Sequence, residues 1–187
     1  MPDDHLDETL IDSRVIHRGD YLTVRLATTE DPDGGRHRRE IIDHPGAVAI
    51  VAIDGDELLL VRQYRLAAGR ILLEIPAGTL DRRDDGTIED PESAAPRELG
   101  EETGYRAATW RRLGRFWTAP GFASEAMTLY LATDLTAIEG YAGPEPDERL
   151  ELVRMVWSDA VAAAERGDFE DAKTVAGILW VERVGRA

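Results

Sequence analysis

The alternation of apolar and polar residues predicts short strands near the start of the chain. Residues 1–20 are mostly polar and predict no regular structure. Residues 21–27 alternate apolar and polar side chains, as a strand with one buried face does. Residues 31–35 supply turn-forming Asp, Pro and Gly, and residues 39–43 follow as a partner strand. A pair of antiparallel strands is therefore expected here.

The middle of the chain predicts a central hairpin, because two strongly apolar runs, 47–53 and 58–64, flank an Asp-Gly-Asp turn. A helix follows a charged loop over residues 81–91. Further strands are predicted over 110–118, 127–133 and 150–157, and closing helices over 158–166 and 169–184. This order of strands, helix, strands and helices predicts an α+β domain with a mixed sheet.

The first helix is expected to end at Gly104, because glycine commonly follows the last helical residue. Its start has two candidates. Capping by Asp90 leaves Pro96 inside the helix, at a cost of about 3 kcal/mol. Capping near Ser93 places that proline in the first turn, where its missing N–H matters little. We therefore predict the later start.

Composition limits the class of partner. The chain has 187 residues, enough for one domain with a sizeable core, and a net charge of −15 from 22 basic and 37 acidic residues. A field of that sign disfavours nucleic acid and anionic membranes as partners. The absence of an apolar run of about 18 residues predicts no membrane span. The chain contains no cysteine and no signal-peptide pattern, which fits a cytoplasmic protein.

Three carboxylates carry the candidate chemistry. Glu98, Glu101 and Glu102 stand at i, i+3 and i+4 on the predicted helix, so they share one face within a turn. Like charges at this spacing disfavour a helix, and divalent cations would reverse that repulsion. Taken alone, such a cluster is more often a solvated helix face than a metal site.

The surrounding residues change this interpretation. From Glu89 the chain reads Glu, seven residues, Arg-Glu-Leu, one residue, Glu-Glu, one residue and Gly104. This pattern resembles the Nudix box of Nudix hydrolases, whose full form begins with Gly and five residues before the first Glu. Here Gly78 and Glu89 are separated by ten residues, five more than the pattern has. A charged loop absorbs such an insertion at little entropic cost.

The resemblance implies a Nudix-type α/β/α sandwich with a mixed β-sheet over residues 46–187. It also implies metal ligands at the matching positions: the carboxylates of Glu98 and Glu102, with help from Glu101 and from the backbone carbonyl of Ala77. Mg²⁺ is the expected ion, with Mn²⁺ as the alternative. In the family, the residue matching Arg97 pairs with that matching Glu89.

Other stretches resemble the ADP-ribose pyrophosphatase branch of that family. They are residues 39–48, 61–65, 73–78 and 118–122, and Pro120 lies sixteen residues after Gly104, where proline tends to mark this branch. The branch forms homodimers through an N-terminal antiparallel β arm, expected here within residues 1–45. The implied reaction is the hydrolysis of ADP-ribose to AMP and ribose 5-phosphate.

Binding of such a substrate needs cations for the diphosphate and polar groups for the ribose. Arg39 and Arg65 are the candidate cations, although each alone is as well explained as a solvated arginine at a strand edge. Glu74 follows an apolar strand, so simple burial is unfavourable, and a role in ribose or arginine binding is expected. Pro120 and Gly121 are further candidates for substrate binding.

The general base of this branch is often a glutamate on a loop between the late strands. Glu148 is the first candidate and Glu151, which begins a strand and could instead contact an arginine, is the second. Two other functions stay open: a pyrophosphatase for another nucleoside diphosphate sugar or dinucleotide, and a non-catalytic nucleotide sensor. The intact glutamate cluster argues against the sensor.

Overall fold

The computed structural model describes residues 4–143 and 149–186, which form two compact units. One unit contains Met1–Gly46 and Trp117–Ala126, and the other contains Ala47–Phe116 and Met127–Ala187. The segment 117–126 therefore groups with the N-terminal strands, which the sequence did not indicate. No helix in the described part of the chain is long and apolar enough to cross a membrane.

The N-terminal unit is built on an antiparallel three-stranded sheet in the order β1-β2-β3. Its strands are β1 (Thr9–Arg18), β2 (Thr23–Glu30) and β3 (Arg36–Asp43), preceded by a short 3₁₀ helix at Asp4–Leu6. The 117–126 segment joins this sheet at Ile42, whose N–H donates to the Phe122 carbonyl at 2.7 Å.

The prediction of no regular structure over residues 1–20 is wrong, because β1 lies there. Register shifts between Leu10 and Asp12 and between Val15 and His17 interrupt the pairing of β1 with β2. Such irregularities break the two-residue period, so apolar residues occur as adjacent pairs rather than in alternation. All ten side chains of β1 are exposed, so no buried face was available to reveal the strand.

The larger unit is built on a mixed seven-stranded sheet. Its path is β10-β5-β4-β9-β8, with β6 added to β5 and β7 added to β4, and β4 and β9 run parallel. The strands are β4 (Ala47–Asp54), β5 (Glu57–Arg65), β6 (Arg70–Glu74), β7 (Ala77–Thr79), β8 (Tyr105–Trp117), β9 (Ala126–Ala137) and β10 (Glu151–Val156). The helices are α1 (Pro91–Thr103), α2 (Trp157–Arg166) and α3 (Ala172–Val184).

Helices cover both faces of this sheet. Val51 and its alternate neighbours on β4 pack in one core cluster with α2 and α3, which contributes Ile178. Ile50 and its alternate neighbours pack in a second cluster with α1, which contributes Leu99. Strand β4 is thus buried on both faces, as its continuous apolar run indicated. The predicted α/β/α sandwich with a mixed sheet is confirmed.

The preferred start of the first helix near Ser93 is wrong. The helix is Pro91–Thr103, and the Asp90 carboxylate caps it by accepting the Glu92 N–H at 2.8 Å. Pro96 lies inside the helix with its side chain exposed. A cap of this kind contributes about 1 kcal/mol, and burial of the helix face against the sheet adds to it. Together these terms outweigh the unfavourable proline.

Candidate active site

A polar cavity of about 410 Å³ lies in the larger unit. Strand β5, strand β7 with the loop after it, and helix α1 form its walls. Its lining residues are Gln63, Arg65, Ala77, Gly78, Thr79, Asp81, Arg97, Glu98, Glu101 and Glu102. The fold thus brings together Arg65 and all four residues that the resemblance implied as metal ligands.

Helix α1 directs its carboxylates towards strand β7. Glu98 is 9% exposed and Glu102 is 6% exposed, whereas Glu101 is half-buried. The Ala77 N–H donates to Glu102 Oε2 at 2.9 Å, which joins the helix to the strand. Two carboxylates buried so closely are unfavourable unless cations or donors compensate them. Positive charge near this buried helix face would therefore stabilise the two carboxylates.

Arg97 supplies part of that charge. Its Nη1 lies 2.9 Å from Glu98 Oε1 and donates to Glu101 Oε2 at 2.8 Å, and its Nη2 donates to Glu89 Oε2 at 2.8 Å. The hydrogen bonds that Arg97 donates to Glu89, with the charge of Glu98, hold the pKa of Arg97 above its ordinary value. The same contact with Arg97 lowers the pKa of Glu89. The pairing of Arg97 and Glu89 is thus present, and it extends to the glutamate cluster.

Gly78 lets the Glu98 carboxylate lie directly against the backbone of β7. A Cβ atom at this position would stand 1.9 Å from Glu98 Cδ and 2.0 Å from Glu98 Oε1. Only a residue without a side chain leaves that space to the carboxylate. The glycine that opens the box therefore serves the close approach of backbone and carboxylate.

The five extra residues between Gly78 and Glu89 fold back on themselves. Arg82 and Ile88 form an antiparallel bridge, and the Glu89 N–H donates to the Asp81 carbonyl at 2.8 Å. This small closed loop returns the chain beside its starting point. Glu89 consequently reaches Arg97 although the insertion separates it further from Gly78 in sequence.

The donor chemistry of this cavity fits a divalent cation. Buried carboxylates beside the partly buried residues Ala77 and Gly78, which line the same cavity, offer the oxygen ligands that Mg²⁺ and similar ions take. In the described residues, no three acidic, histidine or cysteine side chains form a ready metal centre. Arg97 and the Ala77 N–H hold the glutamate oxygens instead. Glu98 and Glu102, with Glu101 and the Ala77 carbonyl, are the residues that would hold an ion.

The candidate substrate residues divide between the two units. Arg65 lines the carboxylate cavity and binds Glu74 through two hydrogen bonds, at 2.8 and 2.7 Å. Ribose binding and arginine binding were the two roles expected for Glu74, and its contact with Arg65 is of the second kind. Arg39, Pro120 and Gly121 lie in the N-terminal unit, where they line a second cavity of about 490 Å³.

Sequence reasoning missed several residues of the carboxylate cavity. Gln63 shares a face of β5 with Arg65, and the two-residue period of a strand could have indicated it. Thr79 and Asp81 also line the cavity, and no sequence signal marks them. Lys173, which contacts Glu74, lies about a hundred residues away in sequence and carried no signal for this site.

Only one of the two candidates for the general base lies in the described part of the chain. Glu148 lies outside the described residues. Glu151 begins β10, and its carboxylate lies 3.3 Å from Arg62 Nη1, the arginine contact considered as its alternative role. Glu151 is exposed and does not belong to the described lining of the carboxylate cavity.

Comparison with known proteins agrees with the geometry. The NUDIX domain family model matches residues 43–177. The ADP-ribose pyrophosphatase of Bacillus subtilis is 36% identical over 178 residues, which cover 95% of this chain and 94% of the relative. The ADP-ribose pyrophosphatase of Mycobacterium tuberculosis is 39% identical over 182 residues, covering 95% and 84%. The crystal structure of an ADP compounds hydrolase superposes with a TM-score of 0.78 at 27% identity, covering 97% of each chain. With this domain and the glutamate cluster on its helix, the chain belongs to the Nudix family.

Proposed function

We propose that this protein is a metal-dependent pyrophosphohydrolase that converts ADP-ribose and water to AMP and ribose 5-phosphate. The observation that carries the proposal is the cavity in which Glu98 and Glu102 are buried against Ala77 and Gly78. Nudix hydrolases use divalent metal ions, and this cavity offers oxygen donors of the appropriate kind. The names of two relatives that match 95% of the chain support ADP-ribose as the substrate.

Mg²⁺ is the proposed ion and Mn²⁺ the alternative, held by Glu98 and Glu102 with Glu101 and the Ala77 carbonyl. Such an ion supplies charge neutralisation for a diphosphate and lowers the pKa of a nearby water. Arg97 keeps the glutamates on one side of the cavity through its contacts with Glu98 and Glu101. Arg65, at the end of strand β5, offers a guanidinium to the diphosphate in the same cavity.

A substrate panel with Mg²⁺ tests the proposal. ADP-ribose, other nucleoside diphosphate sugars and dinucleotides are compared by the release of AMP or other phosphate products. ADP-ribose is expected to show the highest kcat/KM. Faster hydrolysis of another nucleoside diphosphate compound would transfer the proposal to that substrate, and no hydrolysis of any member would favour a nucleotide sensor.

Variants of the helix test the role of the carboxylates. Glu98→Gln and Glu102→Gln are each expected to lower kcat/KM by about 100-fold or more, because each removes an ion ligand on which transition-state stabilisation depends. Glu92→Gln is the matched control, because Glu92 is exposed and belongs to the first turn of the same helix. Equal losses in all three variants would contradict the assignment.

We further propose Glu148 as the general base, with Glu151 as the second candidate. Glu148→Gln and Glu151→Gln are compared separately, and loss of a general base is expected to lower kcat by about 10²- to 10⁴-fold. Arg62→Gln is the control for Glu151, because it removes the same ion pair without removing the carboxylate. Rates near wild type in both glutamate variants would exclude this pair.

Residues 1–45 are proposed to form the contact of a homodimer. Strand β1 is an edge strand with apolar side chains open to solvent, since Leu10, Ile11, Val15 and Ile16 are between 45% and 55% exposed. An edge of that kind favours pairing with another chain. Val15→Asp is expected to give a monomer in light scattering, whereas Thr9→Asp on the same strand leaves the dimer. A monomeric wild type would refute the proposal.

A further inference from the structure

Lys173 is the single lysine of the chain, in which the other basic residues of the 22 are all arginine. It is the second residue of α3 and is only 8% exposed. A lysine so deeply buried is unusual unless its charge is paired. Lysine differs from arginine in being a compact point charge without a planar fork. The position therefore holds a compact buried cation.

The partners of this cation are two carboxylates. Lys173 Nζ contacts Glu74 Oε2 by a hydrogen bond and lies 3.1 Å from Asp171 Oδ1. Glu74 is 1% exposed and also accepts both hydrogen bonds from Arg65. Burial disfavours the charged form of Glu74, but the hydrogen bonds from Arg65 and the charge of Lys173 outweigh it and lower its pKa. An unbroken chain of ion pairs thus runs from Asp171 to Arg65.

The far end of this chain reaches the carboxylate cavity. Arg65 lines it and commits Nε and Nη2 to Glu74. In residues 4–143 and 149–186, its Nη1 makes no further hydrogen bond, so this nitrogen is available to a ligand. An arginine side chain held at one edge of its guanidinium loses fewer conformations on binding an anion than a mobile one. The contact with Glu74 therefore prepares Arg65 for a phosphate group.

The near end is fixed to the backbone of α3. Asp171 caps the helix by accepting the Thr174 N–H at 3.0 Å, and it also accepts the Thr174 hydroxyl at 2.5 Å. The Thr174 hydroxyl in turn accepts the Ile75 N–H at 2.8 Å. Lys173 and Thr174 are consecutive residues at the start of α3. Lys173 thus holds the Glu74 side chain, and Thr174 holds the main chain of the next residue, Ile75.

We propose that Lys173 is a positioning residue, which through Glu74 holds Arg65 in the orientation in which its guanidinium meets the substrate diphosphate. This proposal rests on the proposed function. Stability alone does not account for the cluster, because replacing buried ion pairs by apolar residues is often neutral or even stabilising. Without Lys173, the Glu74 carboxylate depends on Arg65 alone and is free to shift with it.

A double-mutant cycle separates positioning from a structural role. Lys173→Met, Arg65→Met and the double variant are compared for kcat/KM on ADP-ribose with Mg²⁺. We expect losses of about 10-fold for Lys173→Met and about 100-fold for Arg65→Met, and a double variant within about two-fold of Arg65→Met. Multiplied losses in the double variant would overturn the proposal, as would an unchanged kcat/KM in Lys173→Met.

Arg70→Gln is the matched control. It also removes a cation, from the exposed pair of Arg70 with Glu170, which joins β6 to the residues just before α3. It is expected to leave kcat/KM within two-fold of wild type, and a loss equal to that of Lys173→Met would overturn the proposal. If Lys173→Met does not fold, Glu74→Gln takes its place in the same cycle.

Failure of the proposed function has a different signature. A wild type that hydrolyses no panel member refutes the proposed function, but calorimetric binding of ADP-ribose by the same four proteins still tests the coupling. A weakened affinity in Lys173→Met that disappears in the Arg65→Met background supports the positioning role. Independent effects on affinity overturn it.

Discussion

Gly78→Ala is expected to damage the site without damaging the fold. The new Cβ would stand 1.9 Å from Glu98 Cδ, whereas ordinary contact begins at 3.4 Å, so the carboxylate has to move by about 1.5 Å. The backbone at Gly78 has an ordinary φ, so alanine is accepted there without strain. The moving group is the end of a flexible side chain, which shifts at little cost in stability.

The expected loss of activity follows from that displacement. A misplacement of about 1 Å in a catalytic arrangement can cost about 100-fold in rate. We therefore expect Gly78→Ala to lower kcat/KM for ADP-ribose by at least about 100-fold, or about 2.7 kcal/mol of transition-state stabilisation. The Mg²⁺ concentration at half-maximal rate should rise in the same variant, because Glu98 is a proposed ligand. Steady-state rates over a Mg²⁺ titration measure both quantities, and a thermal melt checks the fold.

Gly100→Ala provides the control on helix α1, at a residue that is not among the described lining of the cavity. Gly100 lies on α1 between the glutamates, and a Cβ there would meet Ile138 Cδ1 at 3.4 Å, an ordinary contact. It should retain activity and raise the free energy of unfolding by up to about 1 kcal/mol, since alanine favours a helix interior. Full activity in Gly78→Ala, or an equal loss in both variants, would refute the reasoning.

Three further substitutions test the framework around the site. Pro96→Ala should raise the free energy of unfolding by about 2 kcal/mol, because an exposed proline inside a helix is unfavourable; a lower melting temperature would contradict this. Glu89→Gln should destabilise the protein most near neutral pH, because Arg97 lowers the pKa of Glu89 in the folded state. That contribution is present above the ordinary carboxylate pKa and is lost as pH falls through the folded pKa, so urea melts of both proteins should converge in acid; a constant difference would count against it. Thr174→Val should lower the free energy of unfolding by about 1–3 kcal/mol, because it leaves the buried Ile75 N–H unpaired. An unchanged denaturant midpoint of unfolding would refute that contact.

The layered fold was predictable because its strongest signals are local. The hairpin of β4 and β5 follows from two apolar runs around a turn, and the structure places it over Ala47–Asp54 and Glu57–Arg65. The N-terminal strand was not predictable, because β1 buries no face and its register shifts break the alternation. The start of α1 was missed because the sequence shows the unfavourable proline at position 96 directly. The burial of one helix face, which offsets that proline together with the Asp90 cap, exists only in the folded protein.

The candidate site was predictable where its residues share one helix turn. Glu98, Glu101 and Glu102 are adjacent in space because the helical period alone places them so. The contacts of Glu102 with Ala77 and of Glu98 with Gly78 depend on strand β7, which was not predicted and has only three residues. Lys173 reaches Glu74 across the packing of α3 on the sheet. Contacts at such sequence separation leave no periodic pattern in a single sequence.

The burial of Lys173 also determines how this protein reacts with chemical labels. The chain has no thiol, and its one side-chain amine is shielded by the carboxylates of Glu74 and Asp171. Amine-selective reagents should therefore modify the folded protein at its terminal amine alone, and acylation of Lys173 would report opening of the α3 start. A cysteine introduced on the surface would be a unique attachment point, so fluorophores or spin labels can be placed on either unit without first removing a native cysteine.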